Sequence, residues 1–212
     1  MTRRLSTRLF LLLLATALPI VADGDLRTQS ESVPAEGVTA LEIDLPVGQL
    51  LLEGGDGNAV DATMSVRCDR ARCRDLADQI RLVSERKDGL LELKVEGLTR
   101  GTATGFEVKL RITAPRSLAT EIGLGVGEVR VRGLAADLEI DLGVGDVEVE
   151  MARADVKSVH LDSGVGEARL STDLGEIRGS GVVGSGLEWS QGTGTAAIEI
   201  DTGVGEIFVA LR

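Results

Sequence analysis

LEIDLGVGDVEV, residues 138–149, alternates apolar and polar residues on both sides of a Gly-Val-Gly triplet. Strict alternation puts one set of side chains on each face of a β-strand, so each half predicts a strand with one buried face. The two glycines allow backbone conformations that bulkier residues avoid, which predicts a corner between the halves. The stretch is therefore predicted to form a strand, a corner and a second strand.

The same unit recurs along the chain. Its first glycine stands at positions 125, 143, 164 and 203, with spacings of 18, 21 and 39 residues, and a degenerate copy is expected near 181–186. A period of about 20 residues is typical of proteins whose units bury a face only by stacking on one another. The predicted structural corner consists of Gly125, Gly127, Gly143, Gly145, Gly164, Gly166, Gly203 and Gly205.

Two arrangements of these units fit the pattern. In a meander the glycines would close hairpins, whereas in a solenoid they would turn corners that stack on the next coil. We expect the solenoid, because the residue between the glycines is apolar in every full copy and would point into a stacked core. These residues are Val126, Val144, Val165 and Val204. The predicted fold class is all-β, a parallel β-solenoid with coils of about 20 residues.

Residues 39–212 are predicted to form this single domain. Strands are expected at 41–45 and 49–53 around a worn corner, Pro46-Val47-Gly48, and again at 60–67, 90–95 and 106–114. Leu76, Ile80 and Val83 have helical spacing, which predicts one short helix inserted at about 72–85, near the N-terminal end.

The N-terminus has the layout of a secretory signal peptide. Basic residues precede an apolar run over 9–17, and Pro19 ends the run. Cleavage is expected after Ala22, with Ala17 as the alternative site, and a polar linker follows over 23–38. Removal of residues 1–22 takes away three arginines and changes the net charge from −11 to −14. The expected location is periplasmic or secreted, without stable membrane insertion, and the alternative is an uncleaved N-terminal anchor.

Cys68 and Cys73 are the only cysteines. An even pair in an exported protein predicts a disulfide, although free thiols and a metal site remain alternatives. The bridge requires Cys68 at the end of a strand and Cys73 at the start of the helix, because five residues along a regular helix are too far apart.

The composition excludes several classes of function. An acidic surface repels nucleic acid and anionic lipid. His160 is the single histidine, in a column that is otherwise acidic, and neither a nucleophile elbow nor a phosphate-binding loop is present. We therefore expect no catalytic residues, no cofactor, no metal site and no enzymatic activity.

Carboxylates recur at fixed positions beside the corners. The predicted interaction face is Glu128, Asp146, Glu167 and Glu206, and a second column holds Asp141, Asp162 and Asp201. Oxygen ligands of this kind suit Ca²⁺, so a weak calcium-binding solenoid is one alternative to a solvated acidic face. The last strand, 207–211, is expected to be an open edge at which copies could self-associate.

The stretches 138–149 and 106–115 (FEVKLRITAP) resemble the bacterial putative-adhesin β-strand-repeat family, also called the toast-rack domain. The resemblance covers about residues 39–212, apart from the predicted helix at 72–85 and the two cysteines, Cys68 and Cys73. It implies a β-solenoid, no catalytic residues and, in some relatives, a link to envelope-stress signalling. The expected function is a binding or scaffold module of the cell envelope with an unknown envelope or extracellular protein as partner; a surface adhesin is the alternative.

Overall fold

The computed structural model describes residues 25–68, 77–98, 105–181 and 184–212. These residues form fourteen β-strands. The strands are β1 (Arg27–Pro34), β2 (Ala40–Gly55), β3 (Ala59–Cys68), β4 (Arg81–Lys87), β5 (Leu90–Glu96), β6 (Phe106–Pro115), β7 (Ala119–Arg132), β8 (Leu138–Met151), β9 (Val156–Val165), β10 (Ala168–Thr172), β11 (Gly175–Arg178), β12 (Ser185–Trp189), β13 (Ala196–Val204) and β14 (Ile207–Leu211). The predicted signal peptide, residues 1–22, lies outside the described residues.

All fourteen strands belong to one hydrogen-bonded sheet that bends into two wings. The first wing has the order β4-β5-β2-β7-β8-β13-β9-β12 and uses the segments that precede each corner. The second wing has the order β1-β3-β6-β2-β7-β8-β14-β10-β11 and uses the segments that follow. Because β2, β7 and β8 run through the corner, they belong to both wings.

The copies stack in parallel and in register, as the sequence predicts. Val126 pairs with Val144 and Val144 with Val204, while Val47 of the worn corner pairs with Val126. Every unit therefore places the same position beside its equivalent on the next strand. The all-β fold class and the parallel pairing of the copies are confirmed.

The order of the strands departs from a solenoid whose coils follow the chain. The last coil, β13 and β14, lies between β8 and the coil formed by β9 and β10. The expected degenerate copy near 181–186 leads into β12, which pairs antiparallel with β9 and adds no parallel coil. Residues 207–211 are consequently an interior strand, and their prediction as an open edge is wrong.

The core lies between the wings and contains the predicted apolar columns. Before the corner Ile122, Ile140, Leu161 and Ile200 are buried, and after it Val129, Val147, Ala168 and Ile207 are buried. These side chains join a single cluster that includes residues of both wings. Burial of each larger side chain contributes about 1.5–3 kcal/mol, so stacking is the main source of stability.

Of the predicted helix, the structure describes residues 77–85: Ala77 is helical, and the prediction is wrong over 81–85, which belong to a strand. Residues 81–87 form β4, in which Leu82 is buried and pairs with Val95 of β5. Ile80 and Leu82 are buried two residues apart, which is strand spacing. The helical pattern arose because Ile80 lies in the turn that precedes β4. Residues 72–76 and Cys73 lie outside the described residues, so the Cys68–Cys73 disulfide stays a prediction.

The predicted linker, residues 23–38, also needs correction, since residues 27–34 form β1 at the edge of the second wing. The side chain of Gln29 donates to the carbonyl of Leu82 at 2.7 Å and accepts from its N–H at 3.1 Å. The two hydrogen bonds have the pattern of a β-ladder, although one partner is a side chain. They join β1, at the edge of the second wing, to β4, at the edge of the first wing. The segment is polar because β1 is an edge strand.

The corner valines point outward, so their prediction as core residues is wrong. Val126, Val144 and Val204 are 47 %, 46 % and 45 % exposed, and Val165 is 53 % exposed. In β7 the buried residues have even numbers before the corner and odd numbers after it, so the alternation shifts at the bend. The residue before the corner fills the inside of the bend: Leu45 Cδ2 lies 3.3 Å from where a Cβ on Gly48 would stand.

Close approach of neighbouring strands explains the glycines. Gly145 has φ +138°, and a Cβ there would lie 1.7 Å from the Gly127 carbonyl oxygen. Gly143 has an ordinary φ, but its Cβ would lie 2.4 Å from the Gly125 oxygen. Both positions of the Gly-Val-Gly unit therefore require glycine.

Candidate functional site: the acidic face of the first wing

The outer face of the first wing carries glutamates in register. Glu42, Glu121, Glu139 and Glu199 occupy equivalent positions on the adjacent strands β2, β7, β8 and β13. Neighbouring strands are about 4.8 Å apart, so these carboxylates form a closely spaced row. The row continues into Glu92 of β5 on one side and His160 of β9 on the other.

A second row lies two residues further along the strands. Asp141, Asp201 and Asp162 are in register on β8, β13 and β9. We call the two rows together the first-wing acidic face. Its members are Glu42, Glu121, Glu139, Glu199, Asp141, Asp201 and Asp162.

The charge on this face is not compensated locally. The segments 40–45, 119–124, 138–142 and 196–202 contain no lysine or arginine, and Lys157 of β9, the strand that carries Asp162, forms no ion pair with the face in the described part of the chain. Among the ion pairs between described residues, none includes a member of the first-wing acidic face. Lys94, at the flank of the face, pairs with Glu92 and only adds a longer-range attraction to Glu42.

Partial burial, and then the neighbouring carboxylates, raise the pKa of two members. Partial desolvation and then the neighbouring Glu121 and Glu199 raise the pKa of Glu139 above its ordinary value. Desolvation and then Asp141 and Asp162 raise the pKa of Asp201, and His160 opposes that rise. Both raised pKa values mean that ionisation of these carboxylates is less favourable on this face than in water, and a bound cationic partner would favour it.

A shallow cavity of about 310 Å³ opens beside the glutamate row. Glu42, Glu121, Glu139 and Glu199 line it together with the small residues Ala40, Ala119 and Ala197. Long basic side chains place their methylene stems on apolar surface and their charged ends at carboxylates. The cavity thus has the chemistry to accept lysine or arginine side chains from another protein.

The interaction face predicted from the sequence is assembled, but most of its carboxylates are already paired within the molecule. Pairing places Glu128, Asp146, Glu206 and Glu167 in one row, in that order. Arg130 lies 2.5 Å from Glu128, and Arg169 lies 2.9 Å from Glu206. Asp146 accepts a hydrogen bond of 3.0 Å from the backbone N–H of Glu206. Much of this row's binding capacity is therefore used within the molecule.

The residues considered for catalysis or metal binding do not converge on a site within the described part of the chain. His160 is half-exposed, with Nδ1 3.6 Å from Glu188. Within the described residues, no three His, Cys, Asp or Glu side chains converge in a way that could hold a metal ion. None of the described segments is a helix with the length and apolarity needed to cross a bilayer.

The sequence already contained the signal that separates the two faces. Glu128 and Glu167 are each followed two residues later by arginine, at Arg130 and Arg169, and side chains two apart share a strand face. The glutamates at 121, 139 and 199 have no such partner. The insertion of β13 between β8 and β9, which brings Glu199 beside Glu139, could not be read from spacing.

The chain matches the family described as the N-terminal domain of toast_rack, DUF2154, over residues 22–171. In fold it is similar to a putative cell adhesion protein from Clostridium sporogenes ATCC 15579, with a TM-score of 0.55 and 16 % identity, over 88 % of this chain and 99 % of that one. At that identity the likeness shows the fold alone.

Two weaker structural matches are a putative adhesin from Parabacteroides merdae ATCC 43184 (TM-score 0.33, 12 % identity, 89 % of this chain and 76 % of that one) and a putative adhesin from Bacteroides fragilis NCTC 9343 (TM-score 0.31, 14 % identity, 86 % and 97 %). No curated protein is significantly similar to the chain in sequence. The family match spans more than half of the residues and confirms the resemblance found in the repeats. The chain belongs to the toast-rack family, as a member of its N-terminal domain group.

Proposed function

We propose that this chain is a non-enzymatic binding module of the bacterial cell envelope that holds a cationic partner protein on the first-wing acidic face. The observation that carries the proposal is the uncompensated charge of the in-register glutamates. Such a surface attracts a basic partner at long range. It contributes more to selecting positively charged partners than to the final affinity. Association should therefore weaken as the salt concentration rises.

Export to the envelope is part of the proposal. It is supported by the basic and apolar layout of residues 1–22, and the family match begins at residue 22, where this layout ends. A link to envelope-stress signalling is proposed from the family resemblance. Deletion of the gene should then alter the induction of an envelope-stress reporter.

Two matched variants test the binding face. One carries Glu42→Gln, Glu121→Gln, Glu139→Gln and Glu199→Gln. The other carries Glu128→Gln, Asp146→Asn, Glu167→Gln and Glu206→Gln in the row that is partly paired with Arg130 and Arg169. Both remove four negative charges, so a difference between them reports position and not net charge. Each folded variant is used to capture partners from envelope extract.

The first-wing variant should lose the salt-sensitive partner that the wild-type chain captures, and the second variant should retain it. Equal retention of the partner by both variants would contradict binding at the first-wing acidic face. Hydrolytic turnover by the purified wild-type chain, lost on His160→Ala, would contradict the non-enzymatic assignment.

A surface adhesin is the second candidate. A protein with a similar fold is named a putative cell adhesion protein, and this name is what favours the candidate. Binding of the mature chain to intact cells or matrix, with nothing captured from envelope extract, would support the adhesin instead.

A further inference from the structure

The corner forms an exposed apolar ridge across five adjacent strands. Its members are Val47, Val126, Val144, Val204 and Val165, in register on β2, β7, β8, β13 and β9. The last four are each about half exposed. Four strand spacings give the ridge a length of about 19 Å. We call these five residues the valine ridge.

A groove runs beside the valine ridge on the first-wing side. It is a shallow groove of about 420 Å³, and Gly143, Gly203 and Gly164 are among its lining residues. Asp141, Asp201 and Asp162 line the same groove. Each of these glycines directly precedes a valine of the ridge, and each aspartate lies two residues before its glycine, so a row of aspartates without ion pairs runs parallel to the apolar ridge.

The other border of the valine ridge differs in how its carboxylates are paired. There Arg130 pairs with Glu128 and also with Glu148, and Arg169 pairs with Glu206 and Glu167, while Asp146 has no arginine partner among the described residues. An occupant therefore meets apolar surface in the middle, carboxylates without ion pairs along one border and carboxylates partly paired with arginine along the other.

We propose that the valine ridge and its groove bind a basic amphipathic helix of a partner protein, with the apolar stripe of the helix on the valines and its lysines or arginines along the aspartate row. A length of 19 Å corresponds to about 13 helical residues. A helix in a groove is recognised through apolar anchors at helical spacing, and the aspartates fix its orientation. The proposal rests on the proposed function, because it assigns a segment type to the same cationic partner.

Charge argues against a second copy of this chain as the occupant. Two ridges in contact would bring two uncompensated aspartate rows into one interface. Like charges facing each other across an interface disfavour association. A basic occupant instead relieves the repulsion around Asp201.

The test measures the affinity of defined peptides for the mature chain by fluorescence anisotropy. The probe is a labelled 14-residue Leu/Lys peptide with one apolar stripe. The first control peptide has the same composition in an order that abolishes the stripe, and the second replaces lysine by glutamate. The chain is compared as wild type, as Val126→Thr/Val144→Thr/Val204→Thr, and with isoleucine at the same three positions. Threonine and isoleucine are β-branched and suit an exposed strand, so both variants should fold.

The striped Leu/Lys peptide should bind the wild-type chain more tightly than either control peptide. Threonine at the three positions should weaken it by roughly tenfold or more, and isoleucine should tighten it, because apolar contact area is lost or gained. The scrambled peptide should be unaffected by either change. Equal binding of striped and scrambled peptides, or indifference to the threonine variant, would overturn the ridge proposal and leave the acidic-face proposal standing. If neither lysine peptide bound the wild-type chain, the ridge proposal and the acidic-face proposal would both be contradicted.

Discussion

Glu139→Gln is expected to stabilise the folded chain. Glu139 lies between Glu121 and Glu199 in the glutamate row, and no cation pairs with it among the described residues. Unfolding separates these charges, so their repulsion acts only on the folded state. Glutamine keeps the shape of the side chain and removes the charge.

The magnitude follows from spacing and screening. Two unit charges about 5.5 Å apart in water repel by about 0.75 kcal/mol, and Glu139 has two such neighbours. Salt screens this repulsion, with a Debye length of about 30 Å at 10 mM and about 3 Å at 1 M. The total repulsion on Glu139 is therefore about 1.2 kcal/mol at 10 mM salt and about 0.2 kcal/mol at 1 M. The gain in the free energy of unfolding should therefore be about 1 kcal/mol at low salt and nearly vanish at high salt.

Urea unfolding followed by the fluorescence of Trp189 provides the assay. Trp189 is the only tryptophan and is buried, so its emission reports the packed core. The midpoint should rise at an unchanged slope. Glu148→Gln is the matched control: Glu148 lies 3.3 Å from Arg130 and 3.5 Å from Arg132, and its loss should cost up to about 1 kcal/mol. A destabilised Glu139→Gln chain, or a gain independent of salt, would refute the reasoning.

Three further predictions concern pH, the corner and processing. The pKa values of Glu139 and Asp201 are raised in the folded chain, so it binds protons more tightly than the unfolded chain. The urea midpoint should therefore rise as pH falls from neutral through the raised pKa values toward the ordinary values of 4.5 and 3.8, and a fall would contradict the shifts. Gly145→Ala should lower the free energy of unfolding by about 3 kcal/mol or more in thermal unfolding, because φ at this position is +138° and the new Cβ would clash with the Gly127 oxygen. The control Val144→Thr should change the free energy of unfolding by no more than about 0.5 kcal/mol. Equal effects of the two substitutions would contradict the corner geometry. Intact mass of the exported protein should place the first residue at Asp23 and show one disulfide, and two alkylatable thiols would count against the bridge.

The sequence predicts the strands well because strand periodicity is a local property. Alternation around Gly-Val-Gly located β7 and β8 and the worn corner in β2. Parallel pairing was expected because the corner valines were predicted to point into a stacked core; the pairing is confirmed, but that reason is wrong, since the valines are exposed. The direction of Val126 was missed because alternation is informative only along a straight strand. A bend that shifts the phase by one residue turns the same valine outward.

Topology and charge balance depend on neighbours that are distant in sequence. Insertion of β13 between β8 and β9 brings Glu199 beside Glu139, although sixty residues separate them along the chain. Spacing alone suggested coils in chain order and an open edge at the C-terminus. The two acidic rows look alike as columns. The arginines two residues after Glu128 and Glu167 already distinguish them in the sequence, but the pairing of Arg169 with Glu206 depends on the position of β14 beside β10.

Zero-length carbodiimide cross-linking of the chain to its captured partner tests the central claim most directly, because it joins a carboxylate to a lysine in contact with it. Mapping by mass spectrometry should find partner lysines bonded to Glu121, Glu139 and Glu199 of the first wing, and the bonds should disappear at high salt. Cross-links confined to Glu128, Asp146 and Glu206, or to edge strands alone, would contradict the assignment of the first-wing acidic face as the binding surface.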